Sequence, residues 1–316
     1  MLRQLLLSVG LITITAGAVS AGAPMGPPSY DAREYALDLQ GDLSLSATTD
    51  VNEDGDAVGV VDLLLPPNGQ LASQAVVFTF ENGAQLLPDV GTLENSSATA
   101  VSDRNAQGEI IIVGFAEFDP FLPTQPDGIG VYWRYSTITG QVTEMGQIGP
   151  LPGDEISRAL GINNAGKIVG FSQSASQVGA VIRNIVFDVN SGQLQTFDFP
   201  ATPVDINNND QVAGARYVGD LDGNWTDLGF PPQTTQVDIS AINDQGWVSA
   251  RIVRSFTDGN GFFVQGGARH TGQWEILWSI SRFDNAKDIN ENGDVVGNRV
   301  NAGTVFFDDL DQFFGI

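Results

Sequence analysis

"DINENGDVVG", residues 288–297, supports two readings. Asp288, Asn290, Asn292 and Asp294 alternate as ligands do at the start of a calcium loop. The same letters spell a tight turn opening into a strand. The choice decides the fold, because the stretch is one of six copies. The others are "DVNEDGDAVG" from Asp50, "DRNAQGEIIIVG" from Asp103, "GINNAGKIVG" from Gly161, "DINNNDQVAG" from Asp205 and "AINDQGWVSA" from Ala241. The shared Asn residues are Asn52, Asn105, Asn163, Asn207, Asn243 and Asn290. Their unequal intervals do not suit a tight solenoid, whose stacked coils need near-equal lengths. They suit units with loops of variable length.

Three residues after each Asn stands Gly55, Gly108, Gly166, Asp210, Gly246 or Gly293. Asn favours the first position of a type I turn, where its side chain accepts a backbone N–H two residues on. A hairpin closed by such a turn needs a residue of positive φ next, which Gly supplies without strain and Asp tolerates better than most. The calcium reading needs more. An EF-hand requires an acidic twelfth residue and a following helix. The twelfth residue is Val61 counted from Asp50 and Arg299 counted from Asp288, and strand-like residues follow both. Copies three and five carry no carboxylate at these positions, and copy two lacks the one two residues after its Asn. The turn explains all six copies. Calcium stays open as an addition to the first and last, through Asp50, Asn52, Asp54 and Asp56, and through Asp288, Asn290, Asn292 and Asp294. No other cofactor is expected.

Short polar-apolar strands such as "SRALGI" precede the turns, and apolar ones such as "KIVGF" follow them. A third strand comes later, as in "AVVFTF" (75–80), "GVYWRY" (130–135) and "NIVFDV" (184–189). A fourth often ends the unit, as in "QVTEMG" (141–146) and "QWEILWSI" (273–280). Val, Ile, Phe and Tyr dominate these runs, with Gly, Asn and Pro between them. Six units of up to four antiparallel strands predict an all-β chain, a six-bladed β-propeller. "EYALDLQ" (34–40) reads as an orphan fourth strand that joins the last blade and closes the ring. The fourth unit is shortest, so fewer than four strands are expected there. Gly59, Gly114, Gly170, Gly214 and Gly297, with Ala250 in copy five, are expected to allow close backbone approach near the axis.

"GINNAGKIVG" followed by an aromatic strand such as "NIVFD" resembles the bacterial extracellular repeats of the HAF family, over residues 34–316. The His-Ala-Phe triplet behind that name is absent. The resemblance implies export and a repeat architecture. It implies no defined reaction and brings no catalytic residues.

The address agrees with export. "MLRQLLLSVGLITITAGAVSAGA" has a basic head at Arg3, an apolar run to Val19 and a small-residue cleavage signal ending at Ala21. We expect a signal peptide over 1–21, a linker over 22–33 and one propeller domain over 34–316. The product would be secreted or periplasmic, without membrane insertion after cleavage. The chain has 14 basic and 38 acidic residues, a net charge of −24, one His and no Cys. That charge repels nucleic acid and anionic membranes. Thiol chemistry and His-rich metal sites are excluded. Any Ser-His-Asp triad would depend on His270, which reads as a turn residue.

Long loops on a rigid scaffold are where binding evolves. The connections between second and third strands are long, so Asp119, Phe121 and Asp127 are the ligand-binding loop candidates. A protein or a glycan at that loop face is the expected partner of a monomer. Aromatic side chains such as the five Trp can stack on sugars, although Trp more often packs blades. The expectation is a non-enzymatic binding propeller. A hydrolase or lyase acting on a polysaccharide or phosphate ester is the alternative.

Overall fold

The computed structural model describes residues 12–15, 31–34, 42–65, 70–91, 93, 95–117, 128–174, 180–255, 263–281, 285–299 and 303–307. Every regular element among them is a β-strand. Blade one consists of Asp42–Val51, Ala57–Leu65, Gln70–Thr79 and Gly83–Leu86. Blade two consists of Asn95–Val101, Glu109–Glu117, Ile129–Ser136 and Gln141–Ile148. Blade three consists of Ile156–Ile162, Lys167–Gln173, Ile182–Asp188 and Gln193–Thr196. Blade four consists of Asp205–Ile206, Gln211–Gly214, Tyr217–Asp220 and Trp225–Asp227. Blade five consists of Thr234–Ile242, Val248–Ser255, Phe263–His270 and Trp274–Ser281. In each, the strands lie side by side in chain order.

The blade count corrects the sequence reading. Among the described residues five four-stranded blades are present, not six. The sixth copy builds a three-stranded sheet from Asn285–Ile289, Val295–Arg299 and Gly303–Phe307. Of its expected fourth strand, 34–40, only Glu34 is among the described residues. Glu34 belongs to Asp31–Glu34, which pairs antiparallel with Ile12–Thr15. Residues 35–40 lie outside the described set. Blade four, expected to lose a strand, has all four in shortened form. The reason is a second Asn-type turn. Asp220 Oδ1 accepts N–H bonds from Asp222 and Asn224, each at 3.0 Å, and Gly223 follows at φ 89°.

The chain divides into two compact units, Met1–Ala159 with Gln173–Ala180, and Leu160–Ser172 with Val181–Ile316. In the first, the second strand of blade two is buried on both faces. Ile110 and Ile112 join Trp133 and Tyr135 of their own blade and Val58, Ala75 and Val77 of blade one in a single core. Each such aliphatic side chain contributes about 1.5–3 kcal/mol of hydrophobic free energy. In the second unit, Val237, Ile239, Val248 and Ile252 of blade five pack on Ala213 of blade four. Ala241 packs on Ala286, Ile289 and Val295 of the three-stranded sheet.

The first strands carry a repeated β-bulge. Register shifts fall between Thr48 and Asp50, Ala98 and Ala100, Ile239 and Ala241, and Ala286 and Asp288. A bulge re-aims the skipped side chain. Thr49 donates its hydroxyl to the Ala98 carbonyl at 2.8 Å, Thr99 to Ala159 at 2.9 Å and Ser240 to Ala286 at 2.9 Å. Each bond joins one sheet to the first strand of the next. Opposite the bulge in blades one and two, a Cβ on Gly59 or Gly114 would overlap the carbonyl oxygen of Ala47 or Ser97, so there the expected close approach is made by the blade's own first strand. In blade four a Cβ on Gly214 would overlap the Thr202 carbonyl, ahead of the first strand.

Candidate binding surface

All six Asn-led segments form the turn expected of them. The backbone N–H of Gly55, Gly108, Gly166, Asp210, Gly246 and Gly293 donates to the carbonyl of its Asn at 2.9–3.1 Å. All six residues have positive φ, including Asp210 at 61°. Each Asn Oδ1 then accepts two N–H bonds, from the second and fourth residues after it. At Asn243 these come from Gln245 at 3.1 Å and Trp247 at 2.9 Å.

The Asn amide nitrogen does something the sequence did not show. Asn163 donates through Nδ2 to the carbonyl of Asn207 at 3.2 Å. Asn207 donates likewise to Asn243 at 2.7 Å, and Asn243 to Asn290 at 2.8 Å. Asn52 donates to Ser102 at 2.9 Å, because copy two lengthens its hairpin and Ser102 takes the register position of the turn Asn. A second file of bonds runs alongside. The N–H groups of Glu53, Asn164, Asn208 and Asp244 donate to the side chains of Asp103, Asn208, Asp244 and Glu291. The turns are latches between successive sheets.

The eight calcium candidates are distributed among these bonds. Asp50 Oδ1 accepts from Val51 N–H and Oδ2 from Val101 N–H, both at 2.9 Å. Asn52 caps its turn. Asp54 accepts the backbone N–H of Arg104 at 2.8 Å. Asp56, whose side chain has no exposure, takes the Arg104 guanidinium on both oxygens at 2.7 and 2.6 Å. Arg104 also grips Glu81 with two bonds of 2.8 Å. The Arg104 guanidinium holds Glu81 below the usual carboxylate range, and Asp56 first, then Glu81, raise Arg104 further. In the last copy Asp288 accepts from Ile289 N–H at 2.7 Å, and Asn290 caps its turn through the N–H groups of Asn292 and Asp294. Asp294 accepts from Asn290 Nδ2 at 3.0 Å. Among the described residues no group of three or more His, Cys, Asp and Glu is arranged to hold a metal ion.

Asp205 stands where Asp50 and Asp288 stand in their copies. Its oxygens accept N–H bonds from Ile206 at 2.8 Å and Ile242 at 2.9 Å. Desolvation, with Asp288 nearby, pushes its carboxyl up to about 7. His270 ends the third strand of blade five and packs edge-on against Trp274, with centroids 5.1 Å apart. Burial lowers its pKa, which favours neutral imidazole.

The loop candidates Asp119, Phe121 and Asp127 lie outside the described residues. Blade four shows what that end of a blade carries when the connection is short. Ala215 turns the chain at φ 49°, and Arg216 follows. The Arg216 guanidinium lies 5.0 Å from the Tyr217 ring centroid and 4.8 Å from that of Phe230. Its Nε donates to Asp227 Oδ1 at 2.8 Å. Tyr217 meets Trp225 edge-on at 5.5 Å. Phe230, Arg216, Tyr217 and Trp225 thus form one continuous array. Trp225 is 47% exposed and Phe230 49%. Trp225 sits opposite Gly219, which has no side chain to cover it. Other Trp residues serve packing instead. Trp133 is buried and donates to the Pro88 carbonyl at 2.9 Å, and Trp274 donates to Leu228 at 2.8 Å. Nothing in the sequence distinguished Trp225 from these.

No protein-family signature matches the chain, and no curated protein is similar to it in sequence. Solved structures are similar in fold. The β-propeller domain of the Trilobed protease from Pyrococcus furiosus superposes with a TM-score of 0.51 at 11% identity, over 89% of this chain and 83% of that one. Acylaminoacyl peptidase from Pyrococcus horikoshii gives 0.45 at 10% identity, and a Hadza microbial sialidase 0.44 at 10%, covering 84% and 86% of this chain. The chain spans 50% of the peptidase and 67% of the sialidase. With the sheets described above, the first likeness shows the fold. The chain has antiparallel blades in a propeller arrangement.

Proposed function

We propose that the chain is an exported, non-enzymatic propeller that binds its ligand through exposed blade surface. Residues 1–21 direct export and are removed, and the mature protein works as a monomer in the periplasm or outside the cell. The repeats are assigned on the same footing to the HAF kind. One observation carries the binding reading, the array at blade four in which the exposed rings of Phe230 and Trp225 flank Arg216 and a half-buried Tyr217. A soluble chain that leaves two large rings half in water beside a charged pair has a surface suited to recognition. The carboxylates of the repeats support the same reading, because they are engaged by backbone N–H groups and Arg104. For that reason we propose no resident metal. Nucleic acid is a poor partner for a net charge of −24.

A hydrolase or lyase is the second reading, and Asp205 favours it. A carboxyl pushed up to about 7 suits a general acid. Yet both oxygens of Asp205 already accept N–H bonds, so binding without turnover is the better account. The test is to incubate the mature protein with polysaccharides and phosphate esters, assaying new reducing ends and free phosphate. No product is expected. Turnover that Asp205→Asn abolishes would replace this reading with the enzymatic one.

A further inference from the structure

We propose that the blade-four array is a saccharide site, taking a short run of neutral sugar units with Trp225 as its stacking platform. The inference rests on the binding reading above and names the ligand class.

The size of the array selects the ligand. A large aromatic side chain has roughly 150–250 Å² to bury. With Trp225 and Phe230 each about half exposed, the rings offer on the order of 200 Å². A stable protein partner needs about 800 Å² per side. One face of a sugar ring matches the smaller figure.

The chemistry selects it further. The two faces of many pyranoses present C–H groups that pack on an aromatic ring, while the rim carries hydroxyls that both donate and accept. Beside the rings sit one donor group and one acceptor group, the Arg216 guanidinium and the Asp227 carboxylate, paired at 2.8 Å and with side chains 32% and 39% exposed. Contact with Tyr217 and Phe230, together with the Asp227 bond, fixes the guanidinium plane before any ligand arrives. Preorganisation of this kind reduces the ordering cost of binding. The two exposed rings, Trp225 and Phe230, stand at the ends of the order Trp225, Tyr217, Arg216, Phe230, separated by the half-buried Tyr217 and by Arg216, so the array suits consecutive sugars better than one. Charge narrows the class. A protein of net charge −24 repels polyanionic glycans, whereas uncharged chains approach freely.

Affinity electrophoresis in native gels containing dextran, laminarin, galactomannan or xylan, with alginate as the anionic comparison, tests the site. At least one neutral polymer should retard the protein and alginate should not. Trp225→Ala should weaken that retardation about tenfold in apparent affinity, and Arg216→Ala should weaken it as well. Both side chains are partly exposed, so the variants should melt close to the wild type, which circular dichroism verifies. Retardation unchanged in Trp225→Ala would place sugar binding elsewhere, overturning this site while leaving the binding reading intact. No retardation by any of the four neutral polymers overturns the saccharide assignment. Retardation only by alginate, or release of reducing ends during incubation, does so too, and the latter also overturns the non-enzymatic reading.

Discussion

One Asn side chain does two jobs in this repeat, and the two can be separated. Its oxygen caps the turn, and its amide nitrogen reaches the next sheet. Asn243→Asp keeps the acceptor and removes the donor, leaving a carboxylate against the Asn290 carbonyl. The expected loss is about 1–3 kcal/mol in urea unfolding. Asn105 donates instead to Glu109 of its own turn at 3.3 Å, so Asn105→Asp should cost well under that. Equal costs would mean that the latch contributes nothing. Arg104 offers a second contrast. Arg104→Ala strands the fully buried Asp56 charge and should cost about 3–5 kcal/mol, whereas Glu81→Ala, at the exposed end of the same guanidinium, should cost about 1 kcal/mol or less. The Asn-x-x-Gly spacing made the capping half legible, because turn chemistry is local. The latch was not legible. Its acceptor lies 36 to 50 residues away in another copy, and no local rule points there.

At the scale of the blade, the bulge and the facing glycine form one device. The bulge turns a hydroxyl toward the neighbouring sheet, and the glycine leaves room for the displaced carbonyl. Gly114→Ala places a methyl group on the Ser97 carbonyl and should destabilise by about 2 kcal/mol or more. Gly149, with nothing near its missing Cβ, is the control, and Gly149→Ala should shift the melting midpoint little. Ala250 occupies the same place in blade five, and nothing in the structure explains why that copy accepts a methyl group. The strands themselves were legible because a sheet packed on both faces reads as a run of Val, Ile and aromatic residues. "GVYWRY" falls within the buried strand Ile129–Ser136, whereas "QVTEMG", in the mostly exposed strand Gln141–Ile148, was legible from its place at the end of the unit. Strand number per blade was less legible. Loop length suggested a missing strand in blade four, but a tight Asp220 turn lets two short strands fit. Among the described residues it is the last copy whose sheet has three strands.

Across the whole molecule, stability should bear the mark of Asp205. Its folded-state pKa lies above the ordinary value of 3.8, so the native state holds this proton more tightly than the unfolded chain does. Its contribution to stability is therefore full at low pH and is lost as pH rises from about 4 through about 7. Calorimetry should find a melting temperature a few degrees lower at pH 8 than at pH 5, and Asp205→Asn should flatten that slope even if it lowers both values. The candidate site was only partly legible. The sequence pointed to aromatic platforms and to the connection end of the blades, but exposure depends on what a neighbouring strand covers, and so Trp225 could not be told from Trp133 or Trp274. The six turns remain the centre of the account, four of them as donors of a latch to the next sheet, rather than as ion loops. Melting the mature protein in EDTA, in calcium and in magnesium at equal concentration tests this most directly. Calcium and magnesium should give the same midpoint, since both only screen an acidic surface. A rise specific to calcium, lost in Asp54→Asn or Asp294→Asn, would contradict it.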